Sequence, residues 1–166
     1  MLIHHNFVLS FSFSVEYNPY IVSTVGRECI MFEADGIQFT SEEHYKFYKT
    51  ALERVNYRDA YHMALCYCLG INRDTREHIS DIYDFETGMV NPDCLSSGWQ
   101  TSGSVRVVRM AFNLYCNGMP SVTDEMSKDE AQSESRRYTV EDLFCCSYAP
   151  YFWEAIKLRY PEYTCN

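Results

Sequence analysis

The chain has 166 residues, 46% of them hydrophobic and 22% charged, which excludes a disordered or collagen-like polymer and fits one domain with its own core. No stretch approaches the ~20 consecutive apolar residues of a membrane helix, so an integral membrane protein is excluded. Fourteen basic against 23 acidic residues give a formal charge of −9, which opposes broad nucleic-acid binding and leaves room only for a local basic cleft.

Ser10, Ser12 and Ser14 interrupt the apolar residues near the N-terminus, and no basic segment precedes an unbroken apolar run. The expectation is a chain that is not secreted and works in the cytoplasm or nucleus. In that setting the eight cysteines are expected to be reduced thiols. Cys66-Tyr67-Cys68 lacks the spacing of a zinc-binding CxxC pair and no second pair completes it, so neither a metal nor a cofactor is expected.

In chain order, residues 7 to 15 alternate, with Phe11, Phe13 and Val15 on one face, and predict a strand. Short β-favouring stretches follow at Ile21–Val25 and Cys29–Phe32. Ala34-Asp35-Gly36 then predicts a turn into Ile37-Gln38-Phe39, a hairpin. Tyr45, Tyr48 and Leu52 carry a helical period, placing a helix over Ser41 to about Val55. Ala60, Met63, Ala64 and Tyr67 repeat it in a second helix that Gly70 ends. A polar third helix is expected between Asp74 and Tyr83, and residues 86 to 103 read as a loop carrying Trp99. Val105, Val108, Phe112 and Tyr115 form the stripe of the next helix, closed by Asn117-Gly118. Residues 121 to 137, Ser-rich and acidic, read as an exposed loop within a single domain spanning 1–166. Val140 to Tyr160 reads as helical or mixed, with a break near Pro150 and a stop at Pro161. Early strands followed by mainly helical segments make an α+β domain.

The segment from Asp35 to Tyr45 carries the most chemistry. A hairpin strand runs directly into a helix whose first turn holds Glu42, Glu43 and His44. A carboxylate at such a helix start sits at the domain rim and is placed to orient or activate a water. Thr40 and Glu43 also have the spacing of a capping box, which stabilises a helix start and requires no active site. His44 lacks an HxxxH partner and is not a metal ligand by spacing.

The run Asp-Gly-x-x-Phe-x-Ser-x-Glu-His-Tyr at 35 to 45 resembles the signature of the NADAR superfamily, the riboflavin-biosynthesis-associated and ADP-ribosyl N-glycosidases. Trp99 followed by Val105-Arg106-Val107-Val108-Arg109-Met110 is similar to the family's tryptophan and basic helix. Val140-Glu141 and Trp153 match the two ends of its C-terminal element. Pro150 stands where the family has an aspartate, and the glycines that follow the family tryptophan are absent.

The resemblance implies a compact α+β domain that hydrolyses the N-glycosidic bond of a ribose-phosphate nucleotide or an ADP-ribosyl adduct. Glu43 would be catalytic, with Glu141, or Asp142 beside it, as second carboxylate. His44, Tyr45, Trp99, Arg106, Arg109 and Trp153 would bind substrate, with Glu43 and Trp99 lining one pocket and an arginine at its edge. The alternative is a domain on the same scaffold that no longer cleaves and serves as a nucleotide-binding or protein-interaction module. Read as residues alone, Trp99 and Trp153 suit packing anchors, and Arg106 and Arg109 a solvated helix face. Glu141 and Asp142 suit first-turn helix acids.

Overall fold

Asp35 and Gly36 both adopt positive φ, 56° and 74°, and close a two-residue turn between β1 (Phe32–Ala34) and β2 (Ile37–Phe39). Left-handed backbone at both turn positions matches the twist of antiparallel strands, so the pair forms a hairpin with Phe32 opposite Phe39. The computed structural model describes residues 32–164. The strands expected at 7–15 and 21–25, and Cys29 to Met31 of the third stretch, lie outside the described residues.

The architecture is α+β: two small antiparallel hairpins and eight helices among the described residues. At its centre is α2 (Ala60–Gly70), in which every residue from Ala64 to Gly70 is buried. A helix apolar on all sides is a buried helix, and α2 packs against α1 (Glu42–Arg54), α5 (Ser102–Cys116) and α8 (Ala149–Arg159). The flanking helices bury one stripe each: Tyr48, Ala51 and Leu52 from α1, and Val107, Val108, Ala111, Phe112 and Leu114 from α5. Phe39 of β2 is fully buried among Tyr45, Tyr48 and Tyr67, so the hairpin is pinned to α1 and α2 by rings.

Several segments differ from the sequence expectation. The polar helix expected at 74–83 is two short helices, α3 (Arg73–Glu77) and α4 (Ile79–Ile82), with Tyr83 already in β3 (Tyr83–Asp84). The loop expected from 86 holds β4 (Met89–Val90), which pairs with β3, and a 3₁₀ turn at Pro92–Ser96. The segment 121–137 is exposed, but it is not all loop. Ser127 and Glu130 form a capping box that starts α6 (Lys128–Arg136), none of whose residues is buried. The expected break near Pro150 falls at residues 145–148, after α7 (Val140–Phe144), and Pro150 lies in the first turn of α8. A proline is tolerated there because that N–H has no intrahelical partner.

Candidate functional site

Ser41, not Thr40, caps α1. Its hydroxyl oxygen accepts the His44 N–H at 3.3 Å, so the expected Thr40–Glu43 box does not form. The reason is the burial of His44. Its Nδ1 accepts the Thr40 backbone N–H at 3.2 Å, and its Nε2–H donates to the Tyr67 carbonyl at 2.7 Å. Thr40 is thereby turned onto the His44 ring and the Ile71 carbonyl.

His44 is fully buried, and burial pushes its pKa down to about 3, against the hydrogen bond to Tyr67 and with help from Arg76. It is a neutral bracket that fastens the start of α1 to the end of α2 and presents no free nitrogen to a ligand. The bracket requires Gly70: a Cβ there would lie 2.4 Å from His44 Cδ2. Tyr45 is half-buried, with its ring against Phe32 and Phe39 and its hydroxyl donating to Asp35 at 3.3 Å, so it braces the hairpin on α1.

Glu43 is left exposed at the second position of α1. The Ser41 hydroxyl and its own backbone N–H hold its carboxyl below its ordinary value, with smaller contributions from Arg76 and Lys46 and against a small burial effect. Arg76, on α3, donates Nη1 to the Gly70 carbonyl at 2.6 Å. Gly70 therefore meets both the His44 ring and the Arg76 guanidinium, which places α3 beside the start of α1.

Trp99 reaches the same helix from the other direction. It stacks on His78, the C-cap of α3, with ring centroids 4.5 Å apart and planes within 2°. One indole face is thus covered, and its Nε1 is buried without a hydrogen-bond partner among the described residues. Glu43 and Trp99 share α3 as a neighbour, one through Arg76 and the other through His78.

The remaining nominated residues go elsewhere. Arg106 and Glu141 do come together, lining an open groove of about 560 Å³ with Arg136, Thr139, Asp142 and Cys145. In it Arg106 Nε donates to the Asp142 carbonyl at 2.9 Å. Arg109, one helical turn on, faces a different cavity and is buried in a forked ion pair with Glu134 at 2.7–3.0 Å. Neither cavity is lined by Glu43 or Trp99, so the expectation of an arginine at the edge of a Glu43–Trp99 pocket is not met there. Three residues apart on one helix, the two side chains diverge. Trp153 is 56% exposed and leans on Phe144 at 5.0 Å.

Sequence reading missed Arg76, Asn72 and Tyr148. Asn72 accepts the Asp74 N–H to cap α3 and donates Nδ2 to the Tyr148 hydroxyl at 2.8 Å. An Asn just beyond the helix-ending Gly70 was the one available signal for a new helix start. Among the described residues no group of three or more His, Cys, Asp or Glu could hold a metal ion, and no helix is long and apolar enough to cross a membrane.

No curated protein and no solved structure matches the chain. One family model does, over residues 34–166, nearly all of the described fold and every residue of the Glu43 site. The chain belongs to that family, described as a family of unknown function, DUF6075.

Proposed function

We propose that this protein is an N-glycosidase-like hydrolase acting on a ribose-phosphate nucleotide or an ADP-ribosyl adduct, with Glu43 as its working carboxylate. The observation that carries the reading is Glu43 itself, an exposed, ionised carboxylate at a strand-to-helix junction, within electrostatic reach of Arg76. Its chemistry suits the reaction. As the C1′–N bond breaks, the electron pair leaves with the nitrogen and the ribose gains oxocarbenium character, which a nearby anion stabilises. Water then adds its oxygen to C1′, Glu43 accepts a water proton, and the departing nitrogen is protonated from solvent. The family description assigns no activity, so the reading rests on these residues and on their resemblance to the NADAR signature.

A second reading, a nucleotide-binding or protein-interaction module, is favoured by Pro150. It occupies the first turn of α8, which holds no acidic residue. The resemblance places an aspartate at that position.

The test follows ribose release from ADP-ribosylated guanosine and from ribosylaminopyrimidine phosphates by the wild type and by Glu43→Gln. Loss of the carboxylate should slow release by at least about a hundredfold. Equal rates would remove Glu43 from catalysis. No release by the wild type, with measurable ADP-ribose binding, would decide for the binding module.

A further inference from the structure

Four arginines among the described residues are buried or half-buried, and three of them are well satisfied. Arg109 is forked onto Glu134, and Arg106 holds the Asp142 carbonyl with the Asp142 carboxylate 3.9 Å away. Arg159 donates to the Leu114 carbonyl and to Asn117, and its guanidinium lies 3.4 Å from the Tyr61 ring centroid. Arg76 has one hydrogen bond, to the neutral Gly70 carbonyl, and no ion pair among the described residues. The nearest acid on its own helix, Glu77, is drawn off by Arg73 at 2.6 Å. A partly desolvated cation without a bonded counter-charge is costly to keep, and most of its donor fork is unused.

A second donor is fixed nearby. The Tyr148 hydroxyl accepts from Asn72 Nδ2, and its own proton has no acceptor among the described hydrogen bonds. The Tyr148 ring lies on Gly103, where a Cβ would come within 3.2 Å of it. Asn72 is the N-cap of α3, and its carbonyl accepts the Arg76 N–H at 3.2 Å, so the two residues bound one turn of that helix. The Tyr148 hydroxyl is therefore held at the first turn of α3, within electrostatic reach of Arg76. The charged and titratable groups around Arg76 are Glu43, Glu77, Arg73, Tyr148 and the neutral His44.

We propose that Arg76 and Tyr148 form a receptor for a phosphate group beside Glu43. A guanidinium fork and a hydroxyl donor together match the several acceptor oxygens of a phosphate. In a chain of net charge −9, anion binding has to rest on such a local device. The inference rests on the proposed function for the identity of the molecule that carries the phosphate, a ribose phosphate, while binding itself does not require turnover.

The test is calorimetric titration of the full chain with ribose 5-phosphate, ribose and inorganic phosphate, for the wild type and for Arg76→Met, Arg76→Lys and Tyr148→Phe. Ribose 5-phosphate should bind at least about tenfold more tightly than ribose, with inorganic phosphate competing. Arg76→Met should lose that advantage, Arg76→Lys should keep part of it, and Tyr148→Phe should weaken it severalfold. Ribose 5-phosphate binding no better than ribose, or binding unchanged in both Arg76→Met and Tyr148→Phe, would overturn the receptor. The two proposals can fail separately. Phosphate binding that depends on Arg76 without any N-glycosidic cleavage refutes the hydrolase alone. Cleavage equally fast on dephosphorylated substrates refutes the receptor alone.

Discussion

The His44 imidazole fills the space that a side chain at Gly70 would need: a Cβ at 70 would stand 2.4 Å from Cδ2 and 2.9 Å from Nε2. Two helices are joined at this point by a ring on one and a missing side chain on the other. Glu43 immediately precedes His44 on α1 and Arg76 is anchored to the Gly70 carbonyl, so the junction holds both members of the proposed site.

Gly70→Ala tests the junction. Alanine is the better helix former, so a rise in stability is the naive expectation. The overlap with a buried ring should instead lower stability by about 2 kcal/mol, the usual scale for overpacking. Urea unfolding would show a lower midpoint with an unchanged slope.

His44 also sets a pH dependence. Its folded-state pKa is about 3 against an ordinary value of 6.5, so the unfolded chain takes up a proton that the folded one refuses. Its contribution to stability is therefore complete above pH 6.5 and is lost as pH falls towards 3. Within that window the loss approaches ~1.4 kcal/mol per pH unit. Unfolding at pH 6.5, 5.5 and 4.5 should show this slope in the wild type. His44→Gln should be less stable at pH 6.5 but flatter over the same range.

The cap predicts a separation between neighbours. Ser41→Ala should cost about 1 kcal/mol, because the His44 N–H and the Glu43 carboxylate both lose a partner. Thermal melts of Glu43→Gln should lie close to wild type, within about 0.5 kcal/mol, since Glu43 is exposed and is not half of a capping box. A large loss in Glu43→Gln would restore a structural role for that residue.

Arg109 and Glu134 form an ion pair with side chains only 6% and 16% exposed. Arg109→Met alone should cost about 3 kcal/mol, because it leaves the largely covered Glu134 carboxylate with only the Ser121 hydroxyl and the more distant Arg137. Arg109→Met with Glu134→Gln should recover a substantial part of that loss. The double-mutant cycle, run in denaturant, measures the coupling.

How much of this was legible follows from element length and from what each element buries. The stripe Tyr45, Tyr48, Leu52 announced α1, and Val105, Val108, Phe112 announced α5, because each helix shows the core one face. The second hairpin was silent, since strands of two residues, Tyr83–Asp84 and Met89–Val90, cannot display a period. Helix α6 buries nothing, so its only mark was the Ser127–Glu130 cap. Glu43 could be picked from a local motif. Arg76 and Tyr148 could not, because Asn72 and Gly103 hold Tyr148 beside α3 only after α8 has docked on α2. The burial of Arg109 was hidden for a related reason: its counter-charge arrives on α6, a helix that no hydrophobic pattern foretold.

The enclosure of α2 has a kinetic consequence. Cys66 and Cys68 sit inside that helix, and burial pushes both thiols up, Cys66 to about 12, so almost no thiolate exists near neutrality. A helix walled in by three others opens only when they separate, so its amide hydrogens exchange only through global unfolding. Alkylation of the two thiols is gated by the same event, whereas Cys145 on the surface reacts at once. Two sulfurs on a central helix thus make the molecule its own clock: with reagent fast enough to outrun refolding, the lag between surface and interior labelling reads the lifetime of the folded state.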